Sequence, residues 1–272
     1  MTAAAIVTGA GRGVGRVIAS ELGRAGLAVA AVARTASQIE ETARLVEQAG
    51  GRATAHVADV THPADVQQLV SRVEEELGPV ELLVNNAGTA AAIGPTWEVD
   101  AELWWRDVET TLRGTFLCTR AVLPEMLRRG GGRIVNVSSY AGTRPSPYMS
   151  AYAAAKAALA NFTESVAAEV ADRGVKVFTI TPGLFESSLL EGLRSAENRR
   201  WLPAVGRGRV VKPEEVARLV RFIASGEGDA LSGRFLHALD DVDAIAAHAC
   251  DVTQNDLLTL RLRRFEPPRP QG

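Results

Sequence analysis

Residues 8–15 read TGAGRGVG. The stretch closes the short apolar run AAAIVTG (3–9) and opens a pattern in which Val14, Ile18 and Leu22 recur every four residues until Gly26. An apolar run bounded by glycine predicts a buried strand, and the four-residue recurrence predicts a helix. The glycines lie at the joint between them. Gly9, Gly13 and Gly15 allow a tight turn and let a phosphate approach the backbone N–H groups at the helix N-terminus, with Arg12 and Val14 beside it. A glycine-rich turn says little by itself. Its place between a strand and a helix gives it meaning.

The same alternation continues outward. LAVAAVA (27–33) predicts a second strand, and Ser37 with Glu40 has the spacing of a capping box for the helix that ends at Gly50-Gly51. RATAHVA (52–58) predicts a third strand, and Pro63 a helix first turn, with that helix ending near Gly78-Pro79. VELLVNN (80–86) is the fourth strand. A long helical stretch follows from about Asp100 to Arg129, bent by Pro124, and then a fifth strand, GRIVNVSS (132–139). A helix over 150–173, a sixth strand VKVFTITPG (175–183), a helix from Pro213 to Ala224 and a short strand at 234–238 complete the pattern. Strands alternating with helices at this rhythm predict an α/β fold with a parallel sheet of about seven strands and helices on both faces.

Hydrophobic residues make up 46% of the 272 and charged residues 23%, enough for a large core. A net charge of −2 and a pI near 6.1 argue against general nucleic-acid binding, which needs a basic face. No apolar run reaches the roughly 18 residues of a membrane span, and MTAAAIVTGAG lacks the basic region of a signal peptide. Cys118 and Cys250 are far apart in sequence and outside any metal-like spacing, as are the four histidines. Free thiols in a reducing cytoplasm are expected.

The spacing of Gly9, Gly13 and Gly15 is not the usual GxGxxG fingerprint. It is TGxxxGxG, and here the chain resembles the short-chain dehydrogenase/reductase family. Further motifs agree in order and place: DV (59–60) after strand three, NNAG (85–88) after strand four, NVSS (136–139) after strand five and PG (182–183) after strand six. YAAAK (152–156) follows Ser139 by thirteen residues, the family's interval, and Ser187 stands where the family often has Thr. The resemblance covers roughly residues 3 to 236. It implies a single Rossmann-type doubly wound sheet over 1–239, with a substrate lid at about 184–211. Residues 240–272 are then an atypical C-terminal extension, on the same domain or on a neighbouring subunit. It also implies a small-molecule substrate, no nucleic-acid or membrane partner, and a homodimer or homotetramer built on the long helices.

Tyr152 and Lys156 share one helix face. A nearby ammonium, with an oxidised nicotinamide, stabilises a phenolate, so the pair is expected to lower the tyrosine pKa toward neutrality. Such a tyrosine exchanges a proton with a carbonyl or alcohol oxygen. The resemblance implies that Ser139 hydrogen-bonds that oxygen and that Lys156 also holds the nicotinamide ribose. It places Asp59 and Val60 at adenine, and Asn86, Ala87, Gly88, Pro182, Gly183, Phe185 and Ser187 along the cofactor. A serine nucleophile finds no histidine in a partner motif.

The segment after strand two reads Ala33, Arg34, Thr35, with no carboxylate for the adenosine ribose 2′-OH. Arg34, with Arg12, suits a 2′-phosphate instead, so NADP(H) is expected over NAD(H). Thr111 stands where the family usually has Asn, which helps keep a water relay open to the lysine. Either the relay survives through backbone groups or proton exchange is slower, so a working but modest catalyst is expected. In the tail, Asp240 and Asp241 suit a helix cap through about Ala249. Leu258, Leu260 and Leu262 alternate with Thr259, Arg261 and Arg263 like a half-buried strand.

The lid's Leu184, Phe185, Leu189, Leu190, Leu193, Trp201 and Leu202, with Tyr140, Tyr148 and Met149, point to an apolar or cyclic carbonyl compound or alcohol. Arg144, Arg194, Arg199 and Arg200 leave room for an anionic substituent. Epimerisation or imine reduction at the same redox site is an alternative. So is a non-catalytic dinucleotide sensor or scaffold.

Overall fold

The computed structural model describes residues 3–262. Seven strands form one sheet: β1 (Ala4–Thr8), β2 (Ala28–Ala33), β3 (Arg52–Val57), β4 (Val80–Asn85), β5 (Gly132–Val137), β6 (Val175–Thr181) and β7 (Phe235–His237). Their order is β3-β2-β1-β4-β5-β6-β7, and every pairing is parallel. The strand order reverses between β1 and β4. In open parallel sheets, ligands bind in the crevice beyond the carboxyl ends of the strands at such a switch point.

Helices cover both faces. One side carries α1 (Gly13–Arg24), α2 (Ala36–Gln48) and α8 (Pro213–Ser225), which bury Ile18, Leu22, Ile39, Val46, Leu219 and Ile223. The other carries α3 (Pro63–Leu77), α5 (Gly114–Arg129) and α6 (Ser150–Glu169), which bury Val66, Val70, Val73, Val122, Met126 and Val166. β1 is buried at every position, which explains why it reads as a continuous apolar run rather than an alternating one.

The long helical stretch divides into α4 (Ala101–Val108), a π-helical segment (Glu109–Arg113) and α5. Asp100 caps α4 by accepting the Leu103 N–H at 2.8 Å. Residues 184–211 hold α7 (Ser188–Leu193), capped by Ser187, and a single 3-10 turn at Asn198–Arg200.

Two local expectations fail. Thr35, not Ser37, is the N-cap of α2, and no side chain caps that helix, so Ser37 and Glu40 form no capping box. β2 ends at Ala33 and α2 begins at Ala36, so Ser37 already lies inside the first turn of the helix and cannot cap it. The leucine alternation at 258–262 is not a strand. Asp256 and Leu258 have φ of 52° and 59°, which breaks an extended run. Arg263 lies outside the described residues.

After β7 the chain forms α9 (Val242–Ala247) and α10 (Ala249–Gln254). Asp241 caps α9 through the Ala244 N–H at 3.1 Å, while Asp240 accepts the His237 N–H at 2.7 Å. Val242 and Val252 are buried against the α8 side of the core. The Phe235 N–H then donates to the Leu258 carbonyl at 2.8 Å, so the tail meets the first residue of β7. No helix among the described residues is long and apolar enough to cross a membrane.

Candidate active site

The glycine turn is shaped by close backbone approach. Gly9 and Gly13 have φ of 64° and 55°, in the left-handed region. At Gly15 the constraint is space, since an added Cβ would lie 2.3 Å from the Gly9 carbonyl oxygen. The segment after β4 locks the turn. Asn86 Nδ2 donates to the Thr8 and Gly9 carbonyls at 2.9 and 3.1 Å, and Thr8 Oγ1 accepts the Asn86 and Ala87 N–H groups at 3.0 and 3.1 Å. Below it, Arg16 donates to the Gly11 carbonyl and, through Nε, to Thr42 Oγ1 at 3.1 Å; Thr42 Oγ1 in turn donates to the Ala10 carbonyl at 2.9 Å. Arg16 and Thr42 carry no motif, and sequence reasoning missed them.

The chemistry-bearing end is assembled by β5, the turn after it and α6. Ser138 is buried, and its hydroxyl donates to the Lys156 carbonyl at 2.7 Å, while Ser139 lines the open cleft. Gly142 permits the turn to press on α6, because a Cβ there would sit 2.5 Å from the Lys156 carbonyl carbon. Tyr152 and Lys156 reach the cleft from one face of α6. Lys156 is 4% exposed; its Nζ donates to the Val137 carbonyl at 2.6 Å and lies 5.6 Å from the Tyr152 ring centre. Beneath, Asn85 Nδ2 donates to Asn136 Oδ1 at 2.9 Å, and Asn136 Nδ2 to Thr163 Oγ1 at 2.8 Å, tying β4, β5 and α6 together.

Without a nicotinamide beside it, the tyrosine is shifted the other way from the direction expected with the cofactor bound. Burial pushes the Tyr152 phenol above its ordinary value, and an interaction with Ser139 pulls only partly back. Burial also lowers Lys156, to about 8. A phenol and an ammonium that both lose water both favour their neutral forms. In the protein alone, therefore, the lysine does not bring the tyrosine toward neutrality.

One cleft of about 730 Å³ joins these parts. Gly9, Arg12, Gly13, Val14, Gly15, Arg34, Thr35, Asp59 and Val60 line it from the β1–β3 side. Asn86, Ala87, Gly88, Ser139, Tyr152 and Lys156 line its middle, and Pro182, Gly183, Phe185 and Ser187 the side formed by the segment after β6. Among the predicted catalytic and cofactor-binding residues Thr111 alone does not line it; it sits in the π-helical segment, fully buried. It is nonetheless adjacent, because a Cβ at Gly88 would lie 3.3 Å from Thr111 Oγ1 and 3.4 Å from Lys156 Nζ. That hydroxyl has no hydrogen-bond partner among the described residues. Of the apolar residues expected in the substrate pocket, Leu184, Leu189, Leu190 and Leu193 line the cleft with Tyr140 and Met149, whereas Tyr148, Trp201 and Leu202 do not. Tyr148 packs instead against Trp201, the rings tilted with centres 5.1 Å apart.

Asp107 was also missed. It is fully buried on α4 and accepts from the Thr89 hydroxyl at 2.6 Å and from the Ala91 and Ala92 N–H groups at 2.7 and 2.9 Å. It thereby holds the loop after NNAG against the cleft. Nothing in its surroundings in the sequence signals this.

A switch-point cleft with a TGxxxGxG turn and a Ser-Tyr-Lys set defines a short-chain dehydrogenase. The family model for short chain dehydrogenases matches residues 3–198, and the chain belongs to that family. It is 36% identical to the 3-oxoacyl-(acyl-carrier-protein) reductase FabG of Vibrio cholerae, over 86% of this chain and 94% of the relative. It is 37% identical to a cis-4-hydroxycyclohexanecarboxylate dehydrogenase of Sinomonas cyclohexanicum, over 85% of this chain and 93% of the relative. Among solved structures it is similar to an actinorhodin polyketide ketoreductase with NADPH: TM-score 0.82, 33% identity, 89% of this chain and 97% of the other.

Proposed function

We propose that this oxidoreductase transfers a hydride between NADP(H) and the carbonyl or secondary alcohol of a small apolar or cyclic substrate. The observation that carries the proposal is that Ser139, Tyr152 and Lys156 share one cleft with the glycine turn and with Arg34. The residues fit a dinucleotide. The cradle at Gly9 and Gly15 has no room for a side chain, and the turn presents the N-terminus of α1 to a diphosphate. At the adenosine end Arg34 lies 3.9 Å from Asp59 and is largely exposed, so it is available to a 2′-phosphate alongside Arg12 and Thr35.

The bound dinucleotide supplies the hydride. Ser139 would hydrogen-bond the substrate oxygen, and Tyr152 would supply or remove its proton. Burial keeps the phenol protonated at neutral pH, which is the form that reduction needs. The oxidative direction requires phenolate, so its rate is expected to rise with pH further into the alkaline range than an ordinary phenol would give. Lys156, held to about 8, is still mainly cationic at neutral pH and would hold the nicotinamide ribose hydroxyls.

The test is ketone reduction by the purified protein, followed through the reduced-nicotinamide absorbance with NADPH and with NADH. NADPH should be preferred, Arg34→Asp should shift the preference toward NADH, and Tyr152→Phe should lower kcat by about 10²- to 10⁴-fold. Preference for NADH in the unmodified protein would overturn the cofactor assignment. A homodimer or homotetramer on the long helices belongs to the same proposal. Trp105 and Phe116 are 58% and 46% exposed beside the Glu109–Arg113 ion pair, an apolar face with both charges that can complement itself across a two-fold axis.

A further inference from the structure

Proton and hydride transfer leave two charged residues of the cleft without a task. Guanidinium groups elsewhere in this protein tend to find partners. Arg133 pairs with Asp229 at 2.8 Å, Arg221 with Glu21 at 2.8 Å and Arg194 with Glu186 at 3.0 Å. Arg144 and Arg207 line the cleft, and among the described residues neither guanidinium makes an ion pair or a hydrogen bond. Asp59 is the one carboxylate among the described residues lining the cleft. It is engaged at the adenosine end by Arg34 and by the Thr61 N–H and hydroxyl. Nothing negative balances the two arginines.

Both arginines are placed by structure that surrounds the reactive end. Arg144 belongs to the segment between Ser139 and Tyr152. That segment is folded by the Thr143 hydroxyl donating to the Tyr140 carbonyl at 3.0 Å and the Ser146 hydroxyl to the Ala141 carbonyl at 3.3 Å. It ends at Tyr148, whose backbone is left-handed at φ 66° and whose ring rests on Trp201, in the segment after α7. Arg207 is on that same segment. Arg194, at the end of α7, donates to the Gly206 carbonyl at 3.2 Å and lies flat against Gly206, where a Cβ would be 2.3 Å from its Nε. That contact fixes the residue immediately before Arg207. The Tyr148–Trp201 contact thus joins the two arginine-bearing segments, and Met149, Leu184, Leu189 and Val205 line the cleft with them.

We propose that Arg144 and Arg207 clamp a carboxylate of the substrate, so that the substrates are oxo- and hydroxy-carboxylic acids with an apolar skeleton. The inference rests on the reductase reading above. A guanidinium bonds a carboxylate with two parallel N–H donors, an interaction stronger than one between neutral groups. The anion would serve as an anchor, while Ser139 and Tyr152 act on the carbonyl or alcohol oxygen.

The test compares 4-oxocyclohexanecarboxylate with its methyl ester and with cyclohexanone, each with NADPH, in the unmodified protein and in Arg144→Ala and Arg207→Ala. Both side chains are exposed at the cleft surface, so the variants should fold. The acid should be preferred over the ester. Each substitution should lower kcat/KM for the acid by about ten- to a hundredfold more than for the ester, mainly through KM. Lysine at either position should recover part of the loss. Equal losses on acid and ester would overturn the clamp. So would a rise in the KM for NADPH in Arg207→Ala, which would assign that residue to the cofactor. Preference for a phosphopantetheine thioester over the free acid would overturn it as well. Reduction of none of the ketones would fail the reductase reading itself, whereas reduction of all three without preference would fail the clamp alone.

Discussion

Lys156 shows what a single residue costs and what it provides. Its ammonium is almost wholly buried and held to a pKa of about 8 against an ordinary value of 10.5. That difference amounts to roughly 3 kcal/mol against the folded state at neutral pH. The hydrogen bond to the Val137 carbonyl returns about 1 kcal/mol. Lys156→Met is therefore expected to stabilise the fold by roughly 1–3 kcal/mol at pH 7 while abolishing ketone reduction. The sign follows from proton binding. Between pH 8 and 10.5 the unfolded chain holds the proton that the folded one has released, so the unmodified protein gains stability as pH rises. The advantage of the variant should shrink over the same range. Urea melts at pH 7, 9 and 10.5 check this. That a tyrosine and a lysine share a helix face was legible from YAAAK. The direction of the tyrosine's shift was not, because burial depends on Ser139, the turn at Gly142 and the segment after β6, which come from other parts of the chain.

At the scale of elements, the π-helical segment is the least legible feature. The sequence ETTLRG reads as ordinary helix, yet Glu109–Arg113 widens by one residue, and the Gly114 N–H donates to the Glu109 carbonyl. Gly114 then passes Val60 so closely that a Cβ would be 2.6 Å from Val60 Cγ2. The segment turns Thr111 Oγ1 toward Gly88 and Lys156, while the Thr111 carbonyl accepts the Thr115 hydroxyl at 2.7 Å. π-Bulges cluster at functional sites. Thr111→Val keeps the side-chain volume and removes the hydroxyl. It should lower kcat severalfold, flatten the pH dependence of turnover and leave the melting temperature unchanged or higher. Unchanged turnover and an unchanged pH profile would show that the hydroxyl has no part in proton exchange. The strands and most helices were legible because their apolar periods differ. The capping box at Ser37 and the strand at 258–262 were misread because short patterns of capping or alternation arise by chance where no tertiary partner uses them.

For the molecule as a whole, the C-terminal segment matters most. Leu258 packs against the core beside β7, its carbonyl takes the Phe235 N–H, and Arg261 pairs with Glu164 on α6. Those contacts lie at the start of β7, whereas the cleft lies beyond the other ends of the strands. Truncation after Asp251 should therefore cost roughly 1–3 kcal/mol in a urea melt and leave the KM for NADPH nearly unchanged. Light scattering on the same variant reads oligomer size, which should not change if the long helices form the interface. A large loss of cofactor affinity would mean that the tail reaches the cleft.

The alternating architecture, the glycine turn and the order of its motifs are legible in the amino-acid order, because each depends on local periodicity or on backbone freedom at a few glycines. Tertiary structure alone decided which groups face one another. The sheet's reversal between β1 and β4 brings Asn86 onto Gly9, the π-helical segment brings Thr111 toward Lys156, and the segment after α7 brings Arg207 into the cleft with Arg144. Charge, burial and proton affinity are properties of such juxtapositions, and residues far apart in the chain acquire them only when the chain is folded.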